Sequence, residues 1–495
     1  MSDPQYDVAV LGAGNAALSA ALSAQENGAK VVVIEAAPLD EAGGNSRYTA
    51  GAIRFAHDGL DDLKTVLDLT QDEIDNADFG TYTSDQFYDD LFRLTQFRSD
   101  PDKSELLVTK SLETVQWMKS RGVKFQPSYG RQAFKVDGKF RFWGGLCVET
   151  WGGGEGLIEL ETKAAKENGI DILYETRGVS LLYDEQKVTG IRVKHKGELR
   201  DINVKCVVLA SGGFEANTEM RTRYLGPGWE FAKVRGTRFN MGAGITMALD
   251  IGAMPHGNWS GCHAVGWDLN APETGDLAVG DNFQKHSYPL GIMVNATGKR
   301  FVDEAADFRN YTYAKYGRDI LQQPGMMAWQ VFDQKVTSML RDEYRIKEVT
   351  KVTANTIEEL ALKLEGVNPD EFIKTVKAYN EAVQTDVPFN PAVLDGRGAP
   401  GLETPRANWA NKLDKPPYEA YGITCGITFT FGGLRTNDDG AVMDTELNAI
   451  PGLYAAGELV GGLFSFNYPG GTGLMSGAIL GRLAGASAAA HVKAD

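Results

Sequence analysis

The stretch YDVAVLGAGNAALSAALSAQENGAKVVVIEAA near the N-terminus limits the possible folds most strongly, because it predicts a strand, a tight turn, a helix and a second strand in succession. Residues 6–11 form an apolar run that ends at a glycine, residues 15–27 carry alanine and leucine at helical spacing, and residues 30–34 form a second apolar run. Two buried strands joined by one helix are the βαβ unit of a parallel sheet. We therefore expect an α/β domain built around this unit.

The turn between strand and helix reads Gly12-x-Gly14-x-x-Ala17, a spacing typical of dinucleotide binding. Gly12 permits the tight bend, Gly14 lets the backbone approach a pyrophosphate, and the helix N-terminus supplies amide donors to the phosphates. Glu35 lies 23 residues after Gly12, where a carboxylate can accept hydrogen bonds from ribose hydroxyls. An ordinary glycine turn would not explain Glu35, so the unit predicts a dinucleotide site. Its expected contact residues are Gly12, Gly14, Asn15, Ala16, Glu35 and Ala36.

Three further segments favour a flavin over a nicotinamide cofactor. A second glycine-rich loop, EAGGNSRYTAGAIRF, follows the acidic residue; strands of alternating polarity lead into the turn at residues 211–213; and IPGLYAAGELVGG lies near the C-terminus. These segments resemble the cofactor-contacting pieces of the FAD-dependent fumarate reductase and succinate dehydrogenase flavoprotein superfamily, over about residues 6–485. The resemblance implies an α/β fold in which a Rossmann-like FAD-binding domain carries an inserted α+β capping domain.

The same resemblance implies further contacts to FAD. In this superfamily the segment after AAGE wraps the flavin ring and then begins a helix, so the glycines of FSFNYPGGTGLMSG are expected against the ring and Tyr468 on the substrate side. The covalent flavin histidine of succinate dehydrogenases is missing from GGNSRYTAG, so we expect FAD to bind non-covalently. The implied contact residues are Gly44, Asn45, Ser46, Thr49, Ala50, Gly51, Val179, Ala210, Ser211, Gly212, Gly457, Glu458, Gly473 and Leu474.

The inserted capping domain is expected over residues 258–428, which leaves residues 1–257 and 429–495 to the FAD-binding domain. The segment TIEELALKLEGVNPDEFIKTVKAYNEAV predicts two amphipathic helices within the insertion. No sharp linker separates the two domains, so we expect them to pack closely. Substrate would then lie between them, with water excluded on closure.

Composition argues against several other functions. The formal net charge of −16 disfavours a nucleic-acid partner, although local basic sites can still bind a small anion. Cys147, Cys206, Cys262 and Cys425 are scattered, without CxxC spacing or a His/Cys cluster, so we expect no metal site and a reducing compartment. No apolar run is long enough to cross a membrane, and MSDPQYD lacks the basic start of a signal peptide. A cytoplasmic location is therefore expected.

Three signatures of fumarate reduction are missing. The segment VFDQKVTSML, where the superfamily's reductases carry a proton-donating arginine, contains none, and Arg341 comes too late. The segment GITFTFGGL has Thr428, Phe429 and Thr430 in place of a histidine. The arginine that clamps a carboxylate falls on Tyr468 of FNYPGG. Together these differences argue against a fumarate reductase.

Long segments of both domains instead closely resemble the FAD-dependent tricarballylate dehydrogenase branch: GGNSRYTAGAIR, GTRFN, GCHAVGWDLNAPE, KHSYPLGIMVN, DFRNYTYAKYG and FNYPGGTGLMSG. This resemblance implies oxidation of tricarballylate to cis-aconitate, in which a CH–CH bond flanked by carboxylates loses a hydride to flavin N5 and a proton to the protein. A tricarboxylate needs several cations, and bidentate arginine clamps can fix its C–H bond over the flavin. The expected substrate-binding residues are Arg47, Arg54, Arg235, Arg238, Lys285, Arg309 and Tyr468.

The group that removes the proton is left open between two main candidates. One is Tyr468, whose phenol a nearby cation could activate. The other is Arg309 relayed by Glu304, which matches an acid and arginine pair in the superfamily's reductases, although an arginine acts as a base only when strongly desolvated. A structural ion pair between Glu304 and Arg309 is the alternative reading of that pair. Further candidates are His263, which could instead be a core histidine, Tyr311 and Tyr313.

Two other functions stay open as alternatives. The NYPG segment resembles that of 3-ketosteroid Δ1-dehydrogenases, where a tyrosine polarises the ketone, but such a pocket would be apolar and would not need this many arginines. A non-catalytic FAD-binding electron-transfer subunit would hold the cofactor without reacting with any small acid. The sequence shows no haem or iron–sulfur ligands, so electrons would leave to O₂, a quinone or a separate protein. The tricarballylate branch is associated with a membrane electron-accepting partner, which would make the protein peripheral to a membrane.

Overall fold

A six-stranded sheet, mostly parallel, forms the centre of the FAD-binding region in the computed structural model, which describes residues 5–494. Residues 1–4 and residue 495 lie outside that range. The first four belong to MSDPQYD, the segment in which no signal peptide was expected. Val8–Leu11 pairs in parallel with Val31–Ile34 and with Cys206–Leu209, and all three strands are buried. The predicted α/β fold is thereby confirmed. In spatial order the six strands are Ala441–Met443, Ala449–Ala455, Cys206–Leu209, Val8–Leu11, Val31–Ile34 and Asp171–Leu173.

The first and last helices of the chain, Asn15–Glu26 and Thr472–Ala494, pack closely against each other. A Cβ atom at Gly485 would lie 2.2 Å from the carbonyl oxygen of Ala20, so glycine is required for this approach. Asn15 Nδ2 also donates to the Leu474 carbonyl at 2.7 Å. This contact brings the start of the last helix, at Thr472, beside the dinucleotide turn at the other end of the chain.

The second large sheet belongs to the predicted capping region, and its central strand is Tyr418–Leu434. The predicted domain boundaries, at residues 257/258 and 428/429, fall inside Pro255–Asp268 and Tyr418–Leu434, which pair antiparallel with each other. The two regions are therefore joined by continuous paired strands, and the division into domains stays a prediction. The other strands of this sheet are Lys233–Val234, Ile292–Asn295, Met327–Phe332 and Lys351–Ala354.

Three smaller sheets flank the large ones. One is an antiparallel meander that lies in the chain between two strands of the central sheet, Asp171–Leu173 and Cys206–Leu209, and contributes Arg177 and Gly178 to the cofactor cleft. Two others lie in the segment between residues 52 and 150. Their strands are, sheet by sheet, Thr176–Tyr183, Val188–His195 and Glu198–Asn203; Ala52–Ile53, Val148–Thr150 and Phe125–Pro127; and Ala77–Asp78, Lys139–Phe142 and Ala133–Val136.

Helices surround both large sheets, and two of them, Ile357–Lys363 and Pro369–Ala382, are the pair predicted within the insertion. Across the described residues 5–494, every helix is too short or too polar to cross a lipid bilayer. The remaining α-helices are Asn15–Glu26, Leu60–Val66, Gln71–Asn76, Ser84–Leu94, Pro101–Thr109, Ser111–Ser120, Tyr129–Gln132, Gly153–Glu167, Thr218–Met220, Ala243–Leu249, Arg309–Leu321, Gln334–Thr337 and Thr472–Ala494.

Candidate active site

One continuous cleft extends from the dinucleotide turn to the capping region, and every predicted cofactor residue lines it except Gly51 and Val179. Gly51 is buried behind the cleft, where its carbonyl accepts from the Thr150 amide at 2.8 Å. Val179 lies at a register shift between Gly178 and Ser180, and its side chain is 38% exposed. The two preceding residues, Arg177 and Gly178, line the cleft, and Val179 does not.

The turn after the first strand has the geometry that a bound pyrophosphate requires. Gly12 has a φ of +107°, and a Cβ atom there would lie 2.5 Å from the Ala210 carbonyl oxygen. Gly14 is the N-cap of the first helix, whose first amides have no partner within the helix. Asn15 Oδ1 and Ser211 Oγ are buried in the cleft wall without a hydrogen-bond partner in the described chain. Polar groups of a dinucleotide would satisfy them, so the residues present fit the predicted cofactor.

Three buried carboxyl groups lie along the cofactor part of the cleft. Glu35 accepts from the Ala37 amide at 2.7 Å, as expected for an acid that ends the second strand. Glu458 lines the cleft next to Glu215, whose Oε1 accepts from the Asn45 and Asn240 side-chain amides at 2.5 Å each. Burial raises the pKa of Glu35, Glu215 and Glu458 above the ordinary value of a glutamic acid. A raised pKa favours the protonated form, which can both donate hydrogen bonds to and accept them from the hydroxyl groups of a dinucleotide.

An aromatic cluster closes the cleft at its capping end. The His263 ring centroid lies 4.9 Å from those of Tyr313 and Tyr468 and 5.3 Å from that of Phe429, and the Tyr313 and Tyr468 hydroxyls share a short hydrogen bond. Both His263 ring nitrogens are buried without a hydrogen-bond partner among residues 5–494. Burial, reinforced by the charge of Arg235, lowers the pKa of His263 well below 6.5, so its imidazole is neutral. Burial raises the pKa of Tyr468 well above 10.

Arg235 lines the cleft beside this cluster and has its hydrogen-bonding capacity largely filled. Its Nε and Nη2 lie 2.7 Å and 2.6 Å from Asp281 Oδ1, and its Nη1 donates to Thr428 Oγ1 at 3.1 Å. Gln284 Nε2 donates to the other Asp281 oxygen at 2.7 Å. These bonds fix Arg235 in one orientation, with a guanidinium group held at the edge of the substrate space.

Arg309 also lines the cleft, but its charge is poorly compensated. It begins the helix Arg309–Leu321, is 8% exposed, and lies over the Trp143 and Tyr313 rings at 5.5 Å and 5.4 Å. It donates one long hydrogen bond, 3.5 Å, to the Arg131 carbonyl. Burial, followed by repulsion from Arg341, lowers the pKa of Arg309 to about 9. The group is therefore cationic at neutral pH and easier to deprotonate than an ordinary arginine.

Three arginines that line the cleft were not predicted from the sequence: Arg131 and Arg341 at its capping end, and the exposed Arg177. Arg341 was not expected at the site, because it follows VFDQKVTSML too late to match the proton-donating arginine of the reductases. It lines the cleft, and its backbone amide donates to Ser287 Oγ at 3.1 Å. Its Nε lies 3.3 Å from Glu343, yet Nε and Nη1 find no hydrogen-bond partner in the described part of the chain. Arg131 lies 3.5 Å from Asp281 at the same end of the cleft. No motif marked Arg131, because it belongs to a segment outside the recognisable cofactor motifs.

Glu304 is not brought to the cleft, and the expected relay from Arg309 through Glu304 has no contact in the structure. The carboxylate is fully buried and accepts from Arg300 Nε at 3.0 Å, Arg406 Nη1 at 3.2 Å and the Met293 amide at 2.7 Å. These cations hold the pKa of Glu304 below its ordinary value, although burial opposes them. The structure favours a structural ion pair for Glu304, with Arg300 and Arg406 as partners instead of Arg309.

Lys285, expected to bind substrate, is fully buried away from the cleft lining. Its Nζ lies 3.3 Å from Asp268 and donates to the Glu343 carbonyl at 3.0 Å and to three further backbone carbonyls. Burial lowers the pKa of Lys285 despite this carboxylate. A cation enclosed in this way anchors the loop that carries it and is not available to an external anion.

Arg47 and Arg238 lie near the cofactor end of the cleft, but neither lines it. Arg47 Nη2 lies 2.9 Å from Glu155, and Nη1 donates to the Asp40 carbonyl at 2.6 Å. The Arg238 side chain is 58% exposed and forms a two-pronged pair with Glu41, with both distances 2.9 Å. Both arginines form ion pairs with carboxylates of the protein itself. The sequence spacing did not reveal these partners.

Arg54 is fully buried behind the tyrosine loop and does not line the cleft. Its Nε donates to the Gly470 carbonyl at 2.7 Å and its Nη1 to the Gly144 carbonyl at 2.9 Å. The guanidinium lies over the Tyr82 and Tyr311 rings at 4.8 Å and 5.3 Å. Gly470 lies two residues after Tyr468, so Arg54 positions the loop that carries this catalytic candidate. Arg54 itself does not reach the substrate space.

Known proteins match this arrangement of cofactor cleft and capping region. Residues 7–474 match the FAD binding domain family, FAD_binding_2. The chain belongs to this FAD binding domain family. It is 31% identical to the probable fumarate reductase Ifc3 of Shewanella frigidimarina, over 98% of this chain and 75% of that protein. It is 25% identical to the 3-oxosteroid 1-dehydrogenase of Mycolicibacterium smegmatis, over 100% of this chain and 99% of that protein.

The fold also matches a solved structure of an enzyme of the same superfamily. The open conformation of a flavocytochrome c3 fumarate reductase superposes with a TM-score of 0.73 and 28% identity, over 99% of this chain and 79% of that chain. The cofactor of the protein is FAD, as predicted. The protein is an FAD-dependent oxidoreductase of the fumarate reductase and steroid dehydrogenase type, which acts on CH–CH or C=C bonds.

Substituting Gly12 by alanine should remove most of the bound FAD. The added methyl group would meet the Ala210 carbonyl at 2.5 Å in a backbone conformation that favours glycine. We expect the ratio of flavin to protein absorbance in purified Gly12→Ala to fall by at least about tenfold, while circular dichroism stays that of a folded protein. Gly130→Ala, where a Cβ atom meets nothing within 4 Å, is the matched control. A Gly12→Ala protein that still binds its full complement of FAD would contradict the assignment of this turn.

Proposed function

We propose that the protein is a member of the tricarballylate dehydrogenase branch and desaturates a carboxylate-bearing CH–CH bond, with tricarballylate converted to cis-aconitate. One observation carries the proposal: four arginines line the capping end of the FAD cleft, where a carbon acid would meet the flavin. Two carboxylates, Asp281 and Glu343, pair with three of them. The excess positive charge suits a polyanionic substrate. The four are Arg131, Arg235, Arg309 and Arg341.

The same charge argues against a steroid as substrate. A steroid nucleus is apolar and would leave buried guanidinium groups without partners, at a high free-energy cost. A succinate-type dicarboxylate would satisfy fewer of the unpaired donors than a tricarboxylate. The reductase histidine is missing from GITFTFGGL, and the reductase arginine is missing from FNYPGG. Thr428 and Tyr468 of these segments line the cleft.

FAD, when bound, supplies the two-electron acceptor for this oxidation; we propose that it is held non-covalently. The protein residues orient the substrate and take its proton. Arg235, locked by Asp281, would bind one carboxylate in a fixed direction, which restricts rotation of the reacting C–H bond. The aromatic wall of His263 and Phe429 would exclude water from that bond.

Tyr468 is the proposed acceptor of the substrate proton. Its hydroxyl is bonded to that of Tyr313, and the charges of Arg235 and Arg309 favour its phenolate, although burial opposes them. A neutral phenol cannot take up a proton, so Tyr468 must first lose its own phenolic proton to solvent. The resulting phenolate, stabilised by a hydrogen bond from Tyr313, then accepts the C–H proton of the substrate. The neutral His263 ring, 4.9 Å away, adds no positive charge that would repel the incoming proton.

Anaerobic titration of the oxidised, FAD-loaded protein tests the function directly. We expect tricarballylate to bleach the flavin absorbance band, and succinate, citrate and a 3-ketosteroid to leave it unchanged. If only the 3-ketosteroid bleaches the flavin, the proposed substrate is wrong and Tyr468 would instead bind the ketone of the steroid. If no compound bleaches the flavin, the proposed substrate is wrong and the family assignment is unaffected.

Replacing Tyr468 by phenylalanine should slow flavin reduction by tricarballylate at least about a hundredfold, because the proposed proton acceptor is lost. The measurement is single-turnover reduction under anaerobic conditions, with flavin content checked first. Tyr313→Phe is the matched control: it removes the same kind of hydroxyl and the partner of Tyr468, and it should cost less. Wild-type reduction rates in Tyr468→Phe would instead favour Arg309 or His263 as the acceptor.

The Michaelis constant for tricarballylate should rise above about pH 9. The lowered pKa of Arg309, about 9, means that its cationic form predominates below that pH and is lost above it. The groups that act on Arg309 are Arg341, Tyr313, Tyr288 and Glu343, and a bound carboxylate would raise its pKa again. We expect KM to increase up to about tenfold per pH unit above the pKa, while kcat does not fall.

The variant Arg309→Gln serves as the control for this pH dependence. It should start from a higher KM near neutral pH and show no further increase attributable to residue 309 as the pH rises. A wild-type KM that stays constant to about pH 10 would show that the charge of Arg309 does not bind substrate.

Electrons must then leave the reduced protein, and we propose a separate electron-accepting protein, a quinone or O₂ as the acceptor. A membrane-bound acceptor would place the protein at a membrane surface through that partner, with the cytoplasm as its compartment. Stopped-flow reoxidation with each class of acceptor would distinguish them.

A further inference from the structure

We propose that Arg309 and Arg341 form an anion subsite beside Tyr313, with Arg131 at its edge, that binds one carboxylate of the substrate. The identity of this ligand, a carboxylate of a polycarboxylic acid, rests on the proposed function; the subsite itself rests on the geometry below. Its role is to set the preference for a tricarboxylate over a dicarboxylate.

The first argument is the state of the hydrogen-bond donors. Arg235 has its donors bonded to Asp281 and Thr428, whereas Arg341 has Nε and Nη1 buried and unbonded within residues 5–494. Arg309 donates one bond of 3.5 Å. Buried guanidinium donors almost always find an acceptor, so an acceptor is missing between Arg309 and Arg341.

The second argument is the repulsion between like charges. Arg341 lowers the pKa of Arg309, and Arg131 lowers that of Arg341, in each case after the larger effect of burial. Glu343 is the carboxylate that opposes this repulsion most directly, and its closest approach to Arg341 is at Nε, at 3.3 Å. An anion between the two arginines would offset their repulsion and would be bound in return.

The third argument is that three separate parts of the chain bring the arginines to one end of the cleft. Arg309 is the first residue of a thirteen-residue helix, so the unpaired amides of that helix start lie close to its backbone. The Arg341 amide donates to Ser287 Oγ, and the Arg131 carbonyl accepts the long bond from Arg309. The backbone positions of the subsite are thus set by the fold before a ligand arrives, which lowers the entropy lost on binding.

The subsite also lies at a useful position relative to the reacting groups. Arg309 contacts the Tyr313 ring at 5.4 Å, and the Tyr313 hydroxyl is bonded to Tyr468. Arg235 also lines the cleft beside this cluster and has Asp281 as its own carboxylate partner. One substrate carboxylate at Arg235 and another at Arg309 and Arg341 would hold the carbon chain next to the aromatic cluster.

Sulfate titration of the oxidised, FAD-loaded protein, followed by the flavin difference spectrum, tests the subsite without any turnover. We expect Arg341→Gln to weaken sulfate binding by at least about tenfold, as for loss of a charge-assisted hydrogen bond. Arg345→Gln is the matched control: this arginine is 53% exposed, pairs with Asp342 and carries the same charge change four residues further along. The affinity of Arg345→Gln for sulfate should stay within about twofold of the wild-type value.

A second measurement needs no variant, so it stands even if Arg341→Gln fails to fold. Phenylglyoxal modifies accessible arginines, and peptide mapping of the wild-type holoprotein would show which ones sulfate protects. We expect sulfate to protect Arg309 and Arg341 and to leave Arg345 reactive. Equal modification of Arg341 with and without sulfate overturns the subsite, as does unchanged sulfate affinity in Arg341→Gln.

The substrate preference follows as a third readout. In Arg341→Gln, the ratio of kcat/KM for tricarballylate to that for glutarate, which lacks one carboxylate, should fall by about tenfold. If neither acid is oxidised by the wild-type protein, the proposed function fails while the sulfate result still decides the subsite. If tricarballylate is oxidised but sulfate binding does not depend on Arg341, the function stands and the subsite is wrong.

Discussion

The close packing of the first helix on the last helix is the contact on which the site depends. The dinucleotide turn precedes the first helix and the tyrosine loop precedes the last, so their contact joins two ends of the chain at one cleft. The glycine at position 485 and the bond from Asn15 to the Leu474 carbonyl set the distance between them. A looser contact would separate the cofactor turn from Tyr468, although neither helix contributes a reacting group from its interior.

Removal from water determines the chemical state of the cleft. It raises the pKa of the carboxyl groups near the cofactor, keeps the His263 ring neutral and the Tyr468 hydroxyl protonated at rest, and lowers the pKa of Arg309. The cofactor end thus offers buried hydrogen-bonding groups. The capping end concentrates positive charge that the protein's own carboxylates do not balance. A single cleft therefore has a hydrogen-bonding part for a dinucleotide and a cationic part for an acid.

The cofactor half of the site was predictable from sequence because glycine spacing and strand ends fix backbone positions. Gly51 and Val179 were the exceptions: Gly51 is buried behind the cleft, and Val179 lies at a register shift and is exposed. The substrate half was predicted poorly. Sequence segments reveal charged residues but not their partners, and Lys285 proved to be enclosed by its own loop. Arg341 reaches the cleft from a loop whose path depends on tertiary packing, so its position in the sequence was misleading.

The long strands that cross between the two regions have a mechanical consequence. Pro255–Asp268 and Tyr418–Leu434 are paired over most of their length, so a capping movement cannot pivot on a free linker and has to flex a hydrogen-bonded ribbon. The ladder is already interrupted between residues 258 and 262, and again between His263 and Ala264. Paired strands bend most easily at such interruptions, and His263 lies at the second of them. Any bend of the ribbon there would therefore move the ring that walls the substrate space.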